Sequence, residues 1–110
     1  MTRYQYYLAF FIFLFSNQLI FSQEEESGVI EEATKQCLEN VKQILKGVGL
    51  HLGDIVKASI FMINTEDYSG MDLTYSQIVP QPYPAREAVF VTALPKDARV
   101  EISVIAKTRS

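Results

Sequence analysis

The chain of 110 residues has no tryptophan, a single cysteine, Cys37, and a single histidine, His51. One cysteine excludes an internal disulfide and leaves no cluster of ligands for zinc. A lone histidine gives no support to a His/Cys metal site or a Ser–His pair, and His51 reads as a solvated loop residue after a helix. Positive charge is also scarce. Ten Lys and Arg stand against 13 Asp and Glu, for a net charge of −3, and the isoelectric point is near 5.1. The basic residues are scattered, whereas a nucleic-acid face normally shows as a basic stripe, so no nucleic-acid partner is expected. The longest apolar region, near the start, is broken by Asn17 and Gln18. It falls short of the roughly 20 apolar residues a spanning helix needs.

What remains is enough for one domain, since domains usually run to about 100–150 residues, and the 48% apolar fraction can supply a core. Residues 1–22 carry Arg3 as their only charge and an uninterrupted apolar run at 8–15. Two readings fit them: a secretory signal or anchor, with a basic start and an apolar stretch of about 7–15 residues, or strand, given the Tyr, Phe and Ile content. Membrane contact is expected only through this segment. Residues 23–27 form an acidic linker, and the domain proper spans 28–110. Ile30, Ala33, Cys37, Val41, Ile44 and Val48, with Leu38 and Leu45 beside them, recur at helical steps and predict an amphipathic helix. Glu31 and Glu32 near its start and Lys42 and Lys46 near its end suit the helix dipole, and Gly47 and Gly49 can end it. Residues 54–64 predict a strand. Residues 66–79 predict a second helix, with Tyr68, Met71, Tyr75, Ile78 and Val79 on one face, weakened at Gly70 and stopped by Pro80 and Pro82.

The last stretch, residues 83–106, reads as two strands around a charged turn. Residues 87–94 mix β-branched and aromatic side chains. Residues 100–106 alternate, with Val100, Ile102, Val104 and Ala106 on one face and Glu101, Ser103 and Ile105 on the other. The two charges that interrupt these strands are Arg86 and Glu101. Paired as a hairpin, the strands would hold them near opposite ends. From residue types alone they are an edge arginine and a solvated glutamate, a surface pair worth about 0–1 kcal/mol. Strands and helices interleave, which gives an α+β or α/β sandwich with helices on one sheet face.

The wording of these segments is more specific than their pattern. P-A-R at residues 84–86, L-P-K-D at 94–97 and V-E-I followed by I-A at 100–106 resemble the C-terminal signature of the RidA (YjgF) family of enamine/imine deaminases. The run from Glu31, G-D-I-V-K-A-S-I-F from Gly53 and D-Y-S-G-M-D-L-T-Y from Asp67 resemble the same family in the same order. The resemblance implies a chorismate-mutase-like α+β fold, β-α-β-α-β-β with two helices on one sheet face. The first hairpin would be altered or replaced, since the usual G-P-Y-S-Q lead-in is absent. It implies a homotrimer with a site in each cleft between neighbours, and cofactor-free hydrolysis of 2-aminoacrylate, 2-iminopropanoate or 2-iminobutanoate to a 2-oxo acid and ammonia. Arg86 would hold the substrate carboxylate and Glu101 would activate water, with Asp72, Glu87, Ser16 and Asn17 as further substrate-binding positions and no metal. Asp72 stands where the family usually has asparagine, and Tyr4, Tyr6 or Tyr7 would have to replace the usual tyrosine of the first hairpin. The alternatives are a non-catalytic trimeric binding module and, more weakly, a ribonuclease or translation inhibitor. The family points to the cytoplasm or mitochondrion; a signal at residues 1–22 would instead point to export or tethering.

Overall fold

The computed structural model describes residues 6–10 and 26–108, with side chains from residue 29 onward. Within these the order is β1 (Tyr6–Phe10), α1 (Glu26–Gly47), β2 (Ile55–Met62), α2 (Tyr68–Ile78), β3 (Ala85–Phe90) and β4 (Val100–Lys107). The fold is the expected α+β arrangement. The four strands form one sheet in the order β1-β4-β2-β3. Of the two readings of the apolar N-terminal segment, residues 6–10 are a strand, antiparallel to β4 with Tyr6 opposite Lys107 and Phe10 opposite Ser103. Ser16, Asn17 and Tyr4 lie outside the described residues.

The core lies between the helices and one sheet face. Cys37, Leu38, Val41 and Leu45 of α1 and Met71 and Tyr75 of α2 pack with Ile60 and Met62 of β2 and Val100, Ile102 and Val104 of β4. The α1 stripe differs from the expected one at its C-terminal end. Ile44 and Val48 are 42% and 56% exposed, while Thr34 is fully buried. A period of 3.6 places the buried set at 30, 34, 37, 38, 41 and 45, and Ile44 falls just outside it. Helix α1 also starts at Glu26, inside the stretch expected to be linker. It ends in a Schellman turn: Leu50 N–H donates to Leu45 O (2.8 Å) and Gly49 N–H to Lys46 O (3.0 Å). Gly49 takes φ +80°, a conformation that glycine adopts without penalty. Gly70 serves a different need, because a Cβ there would come within 2.7 Å of Ile30 Cγ2 and 2.8 Å of Glu31 Oε2. The glycine that weakens α2 is what lets α1 approach it.

The expected hairpin of the last two strands does not form. β3 runs parallel to β2, Ala58 opposite Arg86 and Ile60 opposite Ala88. β4 runs antiparallel along the other edge of β2, Phe61 opposite Glu101. The first strand also stops at Phe90 rather than at Leu94. The reason is the α2 crossover, which returns the chain beside β2 in the parallel sense that such connections require. Residues 91–99 therefore pass across the end of β2, a span of two strand spacings, about 10 Å. Lys96 and Asp97 take positive φ (58° and 57°) in this passage, and Arg99 anchors its far end. Arg99 donates from Nε and from a terminal nitrogen to Oδ2 (3.1 Å) and Oδ1 (2.8 Å) of Asp67. Asp67 is nearly fully buried at the start of α2, so this fork fixes the passage against the helix.

Candidate active site between α2 and β3

The alternation of β3 decides where Arg86 points. Ala88 packs against the core, so Arg86, two residues earlier, lies on the same helix-covered face. There it meets three side chains of α2. A terminal nitrogen lies 2.8 Å from Asp72 Oδ1. The other donates to the Tyr68 hydroxyl at 2.8 Å. The guanidinium carbon stands 4.9 Å from the centre of the Tyr75 ring and 5.9 Å from that of Tyr68. Tyr68, Asp72 and Tyr75 are spaced i, i+4 and i+7, the steps that share a helix face. Each contact uses a different property of the cation: charge, donor geometry, and attraction to an aromatic face worth about 0.5–2 kcal/mol. The Arg86 side chain keeps 21% of its surface accessible and Asp72 keeps 44%. A partly exposed cation is thus held in fixed orientation between α2 and β3.

Burial raises the Tyr75 phenol above its ordinary value, and the neighbouring Arg86 charge offsets part of that rise. Its hydroxyl is buried without a hydrogen-bond partner among the described residues. Tyr75 therefore contributes its ring rather than a proton. Cys37, behind β4, has its thiol pushed up to about 12, first by burial and then by the charge of Glu101. It is a core residue and not a nucleophile.

Glu101 lies elsewhere. Val100 and Ile102 face the helices, so Glu101 between them faces away, onto the sheet surface that no described helix covers. Glu87 shares that open face: its Oε2 accepts from Ser59 Oγ at 2.9 Å and lies 3.7 Å from Lys57 Nζ. Of the residues expected to bind or transform a ligand, the structure joins Arg86 to Asp72 and separates both from Glu87 and Glu101. Ser16 and Asn17 are outside the described residues. Sequence reasoning did not assign roles to Tyr68 and Tyr75, although their spacing around Asp72 was readable. His51 is exposed, and its Nδ1 accepts from Gly53 N–H at 3.2 Å, capping the short turn at Leu52–Asp54. Among the described residues, no three His, Cys, Asp or Glu side chains are placed to hold a metal ion, and no helix is long and apolar enough to cross a membrane.

The comparisons with known proteins agree with this architecture. A family model described as Endoribonuclease L-PSP matches residues 12–108. The chain is similar to a RutC family protein of Pyrococcus horikoshii, 39% identical over 79 residues, 72% of this chain and 63% of that one. It is similar to the 2-iminobutanoate/2-iminopropanoate deaminase of Capra hircus, 44% identical over 79 residues, 72% of this chain and 57% of that one. The crystal structure of RidA from the Antarctic bacterium Psychrobacter sp. superposes with a TM-score of 0.69 at 35% identity, covering 71% of this chain and 63% of that one. The chain thus spans about six tenths of the length of these relatives. The family model's match takes in both helices and the three strands that follow α1, and the chain belongs to the RidA (YjgF) family.

Proposed function

We propose that the protein hydrolyses reactive enamine and imine acids, such as 2-aminoacrylate and 2-iminopropanoate, to 2-oxo acids and ammonia. The observation that carries this reading is Arg86, a guanidinium fixed by Asp72, Tyr68 and Tyr75 on a side chain that keeps 21% of its surface accessible. A planar fork of this kind is suited to a carboxylate, which it can grip with two parallel hydrogen bonds. Relatives named for this deaminase activity are 39–44% identical to the chain.

In the proposed reaction Arg86 holds the substrate carboxylate and leaves the imine carbon beside a water. The water adds to that carbon and gives up a proton to a carboxylate base, and the carbinolamine collapses to the 2-oxo acid and ammonia. Glu101 is the proposed base. Because it faces the other side of the sheet from Arg86 in its own chain, it would have to serve the Arg86 of a neighbouring copy. The assembly we propose is a homotrimer with sites between neighbours. The open sheet face supports it: Phe61, Val89 and Ile105 lie there with no described helix over them, and Val89 is 40% exposed. Apolar surface of this kind usually marks an interface. We place the reaction in the cytoplasm or mitochondrion, where such imines would be released by dehydratases.

The test generates 2-aminoacrylate in place with a serine dehydratase and follows pyruvate release. Faster release with the protein present, lost in Arg86→Lys, is the expected result. An unchanged rate would leave the second reading, a non-catalytic binding module, which the occupation of Arg86 by Asp72 favours.

A further inference from the structure

The Arg86–Asp72 pair is electrically balanced, and this bears on what can bind there. A carboxylate approaching Arg86 meets not a free cation but one already 2.8 Å from an anion. A simple 2-oxo acid would have to take up the remaining donors of Arg86 while its negative charge lay beside that of Asp72. A ligand with a cationic N–H next to its carboxylate meets no such conflict. Its carboxylate can bind the Arg86 donors left over by Asp72 and Tyr68, and its N–H can donate to Asp72, which is 44% exposed on the side chain. No other acidic group of the same chain can substitute from β3 or β4, since Glu87 and Glu101 lie on the opposite sheet face.

We infer that Asp72 is a specificity-determining residue that makes the Arg86 site select ligands carrying an N–H cation beside a carboxylate over bare carboxylates. The ligands of this class are the N-protonated iminium acid and its stable counterpart, an α-amino acid zwitterion. The inference rests on the reading of Arg86 as the carboxylate anchor and adds the charge state of the substrate. It also orders the reaction. The iminium acid CH3–C(=NH2+)–COO− and H2O give CH3–CO–COO− and NH4+: the water oxygen becomes the keto oxygen, and the C–N bond breaks with nitrogen taking the electron pair and both water protons. The protonated C=N that Asp72 favours is the form most open to water attack. The product has lost the cation, so it is repelled by Asp72 and leaves, while the carboxyl of Asp72 remains paired with Arg86.

The experiment measures binding of two inert probes, L-alanine and pyruvate, to the full chain by calorimetry at neutral pH, with wild type, Asp72→Asn and Asp72→Ser. The expected result is tighter binding of alanine by wild type and a shift of the alanine/pyruvate affinity ratio by about 10- to 100-fold toward pyruvate in both variants, the effect of losing one charge-assisted hydrogen bond. Equal or tighter binding of pyruvate by wild type, an unchanged ratio in the variants, or no saturable binding of either probe would overturn it. The dehydratase-coupled assay runs in parallel and separates the two claims. Turnover without alanine preference removes the role of Asp72 and leaves the deaminase; alanine preference without turnover does the reverse.

Discussion

The two faces of the sheet are built for different purposes, although the same strands form both. The helix-covered face is apolar along β2 and β4, with Ala58, Ile60, Met62, Val100, Ile102 and Val104 almost wholly buried. Its cation Arg86, on β3, is met by three side chains of α2. The open face mixes Lys57, Ser59, Glu87, Glu101 and Ser103 with Phe61, Val89 and Ile105, and no described helix lies over it. The first face satisfies itself within the chain. The second has polar and apolar groups that a monomer leaves to solvent. A single chain therefore holds the two halves of the proposed site, Arg86 and Glu101, on opposite sides of a sheet.

Substitutions can break this contrast at either face. The largest expected effect is on the open one: Glu101→Gln removes the proposed base and should lower kcat by about 10²–10⁴-fold. Circular dichroism should show the fold unchanged, since the isosteric amide suits a half-exposed strand position. Next is Arg86→Lys, which keeps a charge for Asp72 but loses the fork. A loss of about 2–4 kcal/mol in transition-state binding corresponds to roughly 30- to 1000-fold in kcat/KM, with little change in melting temperature.

How far these faces could be read in the sequence varies with the range of the interaction that sets them. Periodicity identified both helices and the alternation of β4, because it reflects neighbours three, four or two residues apart. It misplaced Ile44 and Val48, whose exposure depends on where α1 runs past the sheet. It did not reveal that β3 and β4 flank β2 instead of pairing with each other, since strand pairing is a long-range choice made by the α2 crossover. The proposed roles of Arg86 and Glu101 came from the family resemblance; that they occupy opposite faces came from the register. The fork between Asp67 and Arg99 joins residues 32 apart and has no local signature.

That fork provides a purely structural contrast to the site. Asp67→Ala should destabilise the domain by about 2–3 kcal/mol in urea unfolding, because it leaves the Arg99 charge without its buried partner. Arg86→Lys, by comparison, should leave the unfolding midpoint nearly in place. The smallest effect belongs to Tyr75→Phe. It retains the ring beside Arg86 and removes a buried hydroxyl that has no hydrogen-bond partner among the described residues, so melting temperature should hold or rise slightly and turnover should persist. A large loss of stability there would mean that the hydroxyl is satisfied after all.

The central claim, that one chain's Arg86 works with another chain's Glu101, is tested most directly by mixing two inactive variants. Arg86→Lys and Glu101→Gln chains are co-refolded at equal amounts and assayed for 2-aminoacrylate hydrolysis. In a cyclic trimer with sites between neighbours, about one site in four combines an intact arginine with an intact glutamate, so about a quarter of the wild-type rate should return. If the mixed protein stays as inactive as its parents, with subunit exchange verified by mass spectrometry, both residues act within one chain or not together at all, and the account is wrong.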